Sequence, residues 1–311
     1  MTTNHHIHLD TVSVTGKVKL PEEDRAAHIQ QALESILCKF FPFEEAEIGA
    51  YIGKPNFYDC GYQVRADGVT IGHIAIGGNK GQSELDSYQC YYNATGCACM
   101  LAHNLWGIIA DTIDEEGQRL SRADVAADFV NGEHDVDEAV ALYQAGAFDS
   151  FNGIRPIPYQ AGNWITDDTR GRTFYVGSRA NSIKFLRVYE KGKQLGDPNS
   201  PWVRWEVEFK RQKGYEISTD ILRNPAAFWT GAYKVFQRLK PQHAARKLEF
   251  LKRETQATYD KLKQHMVKSY GRLMRTCLSL GLTLEELTHG VPDAPPRRLM
   301  PGTLPQVVTP R

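Results

Sequence analysis

The sequence predicts an α+β fold: an antiparallel sheet with flanking helices, followed by an all-α basic C-terminal region. Three observations carry this reading. Short segments with period-two alternation recur through the first two-thirds of the chain, the hydrophobic period changes to threes and fours from Asn224, and charge is divided unevenly between the two parts. The 37 basic and 37 acidic residues cancel overall. From Arg211 to Arg311, however, 18 Lys/Arg stand against 8 Asp/Glu, so the last third is basic and the first 210 residues are acidic. Such asymmetry points to nucleic acid or membrane contact. With no aromatic amphipathic anchor at the terminus, nucleic acid fits better.

The elements follow in order. His6 to Thr15 is predicted as a strand because Val12 and Val14 alternate with polar residues, and Glu22 to Leu37 as a helix with Ala26, Ile29, Leu33 and Ile36 on one face. Gly61–Arg65 and Val69–Ile76 flank Asp67-Gly68, a dipeptide that favours a tight hairpin. Cys97 to Ala110 is expected to be one buried helix after Gly96, in which His103 is a satisfied core histidine and Cys97 and Cys99 pack. Leu120 to Val130 is a strand, and His134 to Ala145 a helix stopped by Gly146. Arg172–Gly177, Ile183–Tyr189 and Trp202–Lys210 most simply form an antiparallel meander. Asn224-Pro225 starts a helix whose apolar side runs from Phe228 to Leu239. A long helix is predicted from Leu248 to Cys277, and Thr283 with Glu286 is a capping-box pattern. The expected organisation is a catalytic domain over 1–212, a helical basic DNA-binding or accessory region over 213–288, and a Pro-rich irregular tail over 289–311.

Composition narrows the function. With 41% apolar residues the chain can build a substantial core. Six irregularly spaced cysteines without a CxxC argue against a zinc site or a disulfide framework. The N-terminus lacks the pattern of a secretory signal, and the longest apolar stretch, Gly96 to Ala110, is too short to span a bilayer, so a soluble cytoplasmic protein is expected. Gly77-Gly78-Asn79-Lys80-Gly81 lacks the spacing and final Lys-Ser/Thr of a P-loop and reads as a turn.

Strand alternation locates the chemistry. Arg122, Asp124, Ala126 and Asp128 share one face of their strand, and Arg204, Glu206 and Glu208 share one face of theirs. Arg187, Tyr189 and Lys191 are expected on one face of a third. If these strands are neighbours, one sheet face carries four carboxylates, three arginines and a tyrosine. Such a face can be a solvated surface laced with cross-strand ion pairs worth ~0.2–1 kcal/mol each. Its functional reading is a metal-dependent phosphodiester site, because clustered carboxylate oxygens suit Mg²⁺ or Mn²⁺ and a nearby tyrosine could attack phosphorus. His6-Ile7-His8 has the form of the histidine pair by which another class of tyrosine nickases holds a metal, but a three-residue match at a His-rich terminus is weak.

The residues resemble the replication initiation factors of rolling-circle plasmids and filamentous phages. The resemblance runs through His8-Leu9-Asp10-Thr11-Val12-Ser13-Val14-Thr15, Gly96-Cys97, Ser121 to Asp128, Gly171 to Arg179, Arg187-Val188-Tyr189-Glu190-Lys191-Gly192-Lys193-Gln194, and Trp202 to Lys210. It covers about two-thirds of the chain in order, with the phage branch closer. It implies a DNA-nicking and strand-joining enzyme whose tyrosine becomes linked to the 5′ phosphate. By position Tyr189 is the nucleophile, Asp124 and Glu206 match acidic metal positions for Mg²⁺ or Mn²⁺, and Asp128, Glu208 and Asp10 are candidates to complete the site. Arg122, Arg172, Arg179, Arg187, Lys191, Lys193 and Arg204 are candidate phosphate contacts. The implied partners are a double-stranded origin and its single-stranded nick site, with host helicase, host polymerase and a second copy of the chain as further candidates. A conjugative-transfer relaxase with the same chemistry and a non-catalytic DNA-binding regulator remain alternatives. The basic C-terminal helices match the family poorly, so a DNA role for Lys234, Arg238, Arg246, Lys252, Lys261, Lys263 and Lys268 rests on charge alone.

Overall fold

The computed structural model describes residues 7–55, 58–78, 85–150, 152–166, 170–240, 251–252 and 259–289. Two units divide the chain, Met1–Leu251 and Lys252–Arg311.

The first unit is built on one ten-stranded antiparallel sheet. Its strands are β1 (Ile7–Val18), β2 (Ala46–Gly53), β3 (Cys60–Ala66), β4 (Val69–Ile76), β5 (Asp86–Tyr92), β6 (Arg119–Phe129), β7 (Pro158–Ala161), β8 (Thr173–Val176), β9 (Lys184–Glu190) and β10 (Val203–Lys210). They lie in the order β2-β3-β4-β5-β1-β6-β10-β9-β8-β7. The predicted hairpin joins β3 and β4, with Asp67 and Gly68 at φ 49° and 74°. The predicted meander is β8-β9-β10. Two long strands escaped the sequence reading. In β5 the inward positions are Asp86, Tyr88, Cys90 and Tyr92, a core side without aliphatic residues, and β2 is interrupted by glycine.

Helices cover the apolar face. They are α1 (Arg25–Phe40), α2 (Ala94–Ala102), α3 (Trp106–Glu115), α4 (Val136–Gln144), the single turn α5 (Lys191–Gln194), α6 (Asp220–Arg223), α7 (Pro225–Ala232) and α8 (Phe236–Leu239). The helix expected over Cys97–Ala110 is two helices, because Asn104 takes a left-handed φ of 55° between them. His103 caps the first and is exposed, stacked on Phe43, rather than buried in the core. Asn93 caps α2, and Gly96 is required there: a Cβ would lie 2.0 Å from the Ile71 carbonyl oxygen. The Asn224-Pro225 start is present, with the Asn224 side chain accepting from Ala227, but this helix also ends early, at Tyr233.

The expected boundary after residue 212 is overturned by packing. Trp229 and Phe236 are fully buried and stacked, and Trp229 Nε1 donates to the Trp205 carbonyl at 3.0 Å. The charge excess after Arg211 is real, yet the apolar side of α6 to α8 completes the sheet's core. A chain ending at 212 should therefore fail to fold, since each large aromatic lost from a core costs ~3–5 kcal/mol against a total of ~5–15. A chain ending at 251 should keep a cooperative melt near that of the full chain. Circular dichroism melts of both chains check this.

In the second unit α9 (Tyr259–Ser279) and α10 (Leu284–Thr288) are helical, and Thr283 and Glu286 form the predicted capping box. Tyr270 and Leu273 on α9 are exposed. Lys234 and Arg238 in the first unit and Lys263 in the second are exposed. His6, Arg246, the start of the long predicted helix and nearly all of the Pro-rich tail lie outside the described residues, as do the side chains of Lys252, Lys261 and Lys268. Among the described residues no helix is long and apolar enough to cross a membrane.

Candidate active site

The strands that carry the polar residues are neighbours at the centre of the sheet. In the β6–β10 ladder Asp128 pairs with Arg204, Ala126 with Glu206 and Asp124 with Glu208. In the β10–β9 ladder Arg204 pairs with Tyr189 and Glu206 with Arg187. All these side chains share the face opposite the helices, as alternation requires.

That face is not a solvated one. Asp124 is 0% exposed, Glu206 and Glu208 2%, and Arg204 6%. The charges are buried in linked groups. Arg122 Nε donates to Asp124 Oδ1 at 2.8 Å, while Arg187 Nη2 donates to both Asp124 Oδ2, at 2.8 Å, and Glu206 Oε1. Tyr189 Oη donates to Glu206 Oε2 at 2.9 Å. A second group centres on Arg204, which holds Asp128 through Nε and Nη2 and Asp10 through Nη1; Trp202 Nε1 adds a bond of 2.7 Å to Asp128. Glu208 lies 3.2 Å from Arg122 and 3.5 Å from Arg179.

The four carboxylates therefore do not converge on one point. Asp124 and Glu206 come together with Tyr189, Asp128 belongs to Arg204, and Glu208 to Arg122. Lys191 is also displaced from its expected strand face: the chain leaves β9 at Glu190 and coils into α5, where Lys191 Nζ donates to Gln194 and lies 5.7 Å from the Tyr189 ring centroid. Arg204 is an internal ion-pair partner rather than a surface phosphate contact. Arg172 bonds Asp137 at 2.9 Å and Glu190 at 3.2 Å, and Lys193 bonds Glu190 at 3.2 Å. Glu190, Trp202 and Asp137 went unnoticed in the sequence. Glu190 and Trp202 adjoin residues that were singled out, and only the ladder shows what they touch.

A hollow of about 260 Å³ beside Tyr189 is lined by Arg172, Thr173, Tyr175, Arg187, Glu190 and Gln194. Arg187 Nε is buried without a hydrogen-bond acceptor among the described residues. The hollow is thus small, polar and bordered by two guanidinium groups.

Burial sets the protonation states. It holds the Tyr189 phenol well above its usual range, and the neighbouring Glu206 adds to this. Burial also pushes Glu206 up, to about 7; Arg187 opposes this, whereas the charges of Asp124 and Asp10 reinforce it. At Asp128 burial is outweighed by the bonds from Arg204, and the group is held below the carboxylate range. The sign for Glu206 is definite. The folded state binds its proton more tightly than the unfolded state, so its contribution to stability is complete below the ordinary carboxylate pKa and is lost as pH rises through about 7. Wild type should accordingly lose more stability than Glu206→Gln between pH 5 and pH 8, as read from urea midpoints of both proteins at the two pH values.

The donor chemistry of Asp124 and Glu206 suits a hard divalent ion, and both reach the same point. That point is occupied by Arg187 Nη2. Among the described residues no group of three or more His, Cys, Asp or Glu side chains is placed to hold a metal ion. As arranged, the residues fit a guanidinium bridge and not a metal.

The family model described as replication initiation factor matches residues 118–280, more than half of the chain. The chain belongs to the replication initiation factor family. Among solved structures it is similar to a rolling circle replication initiator protein from Geobacillus stearothermophilus, with 19% sequence identity and a TM-score of 0.48, covering 71% of this chain and 80% of that one. No curated protein matches it.

Proposed function

We propose that this protein initiates rolling-circle replication by nicking one strand of a phage or plasmid origin with Tyr189. The observation that carries the reading is the 2.9 Å hydrogen bond from Tyr189 Oη to Glu206 Oε2. A phenol held neutral by burial needs a base, and a carboxylate titrating near neutrality is well matched to that task. In the proposed step the Tyr189 oxygen attacks phosphorus while its proton passes to Glu206. The bond from phosphorus to the 3′ oxygen breaks, and that oxygen takes a proton from solvent. The products are a 5′-phosphotyrosyl protein and a free 3′-hydroxyl that can prime host synthesis. Rejoining reverses the step: a 3′-hydroxyl releases its proton to solvent and attacks the phosphotyrosine, the bond from phosphorus to Tyr189 Oη breaks, and Tyr189 recovers its proton from Glu206.

Arg187 and Arg172 border the hollow beside Tyr189 and supply positive charge for the phosphate, with the free Arg187 Nε as one donor. Mg²⁺ or Mn²⁺ would have to displace Arg187 from Asp124 and Glu206 to bind there. Host helicase, host polymerase and a second copy of the chain are proposed partners in the bacterial cytoplasm.

The test is incubation of the full chain with supercoiled DNA of its replicon. Open-circular DNA carrying covalently bound protein is expected, with the nucleotide adduct on Tyr189 by peptide mass spectrometry. Unchanged DNA, or an adduct on another residue, overturns the assignment.

A further inference from the structure

A second cavity, of about 740 Å³, is lined by Lys191 and Arg204, two neighbours of Tyr189, and has a different character. Its walls are largely apolar and include Leu101 at the end of α2, Trp106 at the start of α3, and Leu222 and Pro225 from α6 and α7. Leu101 is 62% exposed. The polar lining is sparse: His8 and Asp10 of β1 and Asn104 from the break between α2 and α3. Three cations complete it, Lys191, Arg204 and Arg223. Sites of ~300–1,000 Å³ with apolar walls and a few converging polar groups take small organic ligands, a size and lining that accommodate a nucleobase. Inorganic phosphate would leave these walls unfilled.

The position of the cavity narrows the ring. Lys191 lies 5.7 Å from the Tyr189 ring, and Arg204 is the register partner of Tyr189 on the adjoining strand. The cavity and the small polar hollow thus lie near the same tyrosine, one suited to a ring and one to a phosphate. We infer that the cavity receives an unstacked nucleobase of the single strand, next to the phosphate that Tyr189 attacks. This rests on the nicking role proposed above and adds a base subsite to it. Stacking on apolar and aromatic walls contributes affinity for any base. Asp10, whose Oδ1 accepts from Arg204, additionally favours a base carrying an exocyclic amino group, because a carboxylate can accept from such a donor and repels the carbonyl oxygens of thymine.

Gly107 makes the inference testable without damaging the core. It lies in α3, lines the cavity, and a Cβ added there meets nothing within 4 Å. Gly107→Leu should therefore fill the cavity and favour the helix. The probe is a fluorescein-labelled 12-nucleotide single strand of mixed sequence carrying one 5-iododeoxycytidine, which keeps the exocyclic amino group, incubated with full-length protein. Ultraviolet cross-linking of wild type should modify Trp106 or His8, as mapped by peptide mass spectrometry. Replacing every base of the probe by an abasic site should weaken binding by about 5- to 150-fold, the equivalent of ~1–3 kcal/mol for one stacked base. Gly107→Leu should lose the cross-link at Trp106 and His8 and bind the intact probe more weakly by a similar factor. Ala98→Phe, which fills the same cavity from α2, should act alike.

The inference is overturned if cross-links fall only elsewhere, or if both filled variants bind the intact probe as wild type does. Nicking of supercoiled DNA is measured on the same preparations. Wild type that nicks and becomes attached through Tyr189 but gives no cross-link in the cavity removes the base subsite and leaves the nicking role intact. Wild type that neither nicks nor binds the probe removes both.

Discussion

Tyr189→Phe should reduce nicking and covalent attachment to background, a loss on the order of 10⁴-fold or more, as expected when a nucleophile is deleted outright. The protein should remain folded. The substitution removes one hydroxyl that donates to Glu206 Oε2 at 2.9 Å, and leaving a buried acceptor short of one partner costs ~1–3 kcal/mol. That is a visible shift in a thermal melt and not a collapse. Binding to a single-stranded probe should change little, because neither the cations around the polar hollow nor the apolar cavity is altered. The measurement is an adduct assay on denaturing gels beside a melt and an anisotropy titration. A Tyr189→Phe protein that still attaches to DNA moves the nucleophile to another tyrosine, and Tyr175, which lines the same hollow, is the next to substitute.

Arg187→Ala should have the second largest effect, and on stability before activity. Arg187 Nη2 is shared by Asp124 and Glu206, both buried. Removing it leaves two close carboxylates without their common counter-charge, and breaking a buried ion pair from one side typically costs ~3–5 kcal/mol. Arg187→Lys should recover only part of this loss, since a compact ammonium cannot reproduce the reach of the guanidinium fork. The vacated point between two hard oxygen donors should then attract a divalent ion. Millimolar Mn²⁺ is expected to raise the urea midpoint of Arg187→Ala and to leave that of wild type nearly unchanged. A loss below about 1 kcal/mol would mean that the bridge does not hold the network together. A wild-type midpoint that rises with Mn²⁺ as steeply as the variant's would mean that Arg187 does not compete for the site.

Much of this arrangement was legible in the alternation of the strands. Arg122, Asp124 and Asp128 against Arg204, Glu206 and Glu208 is a pattern that fixes which side chains share a face, and β6 and β10 do pair with those faces together. Alternation does not reveal burial. Both faces of these central strands are covered, one by helices and one by interlocked charges, and a charged residue reads the same in sequence whether it is wet or dry. Nor can alternation see a change of phase. From Val12 and Val14 a strict period of two assigns Asp10 to the apolar side, but a bulge between Leu9 and Thr11 resets the phase and lets Asp10 reach Arg204. Lys191 fails for the opposite reason, because the strand stops one residue before it. Charge places a domain boundary at residue 212, whereas packing carries the sheet unit to Leu251. An excess of lysine and arginine on one side of a helix says nothing about the aromatic residues on the other, and Trp229 and Phe236 lie on the buried side.

The ion pair between Asp10 and Arg204 joins residues 194 positions apart in the chain. The neighbouring contacts of the site are similarly distant: 63 positions separate Arg187 from Asp124, and 76 separate Arg204 from Asp128. Ladders closed over such spans form slowly, because the entropy of closing each loop is lost before the contacts that offset it exist. During synthesis the consequence is one of timing. A ribosome that has made β1 and β6 has not yet made Tyr189 or Glu206, and one that has made β10 still lacks Trp229 and Phe236, which seal the sheet from behind. The site proposed to cut DNA is therefore assembled only after the whole sheet unit has been released and closed.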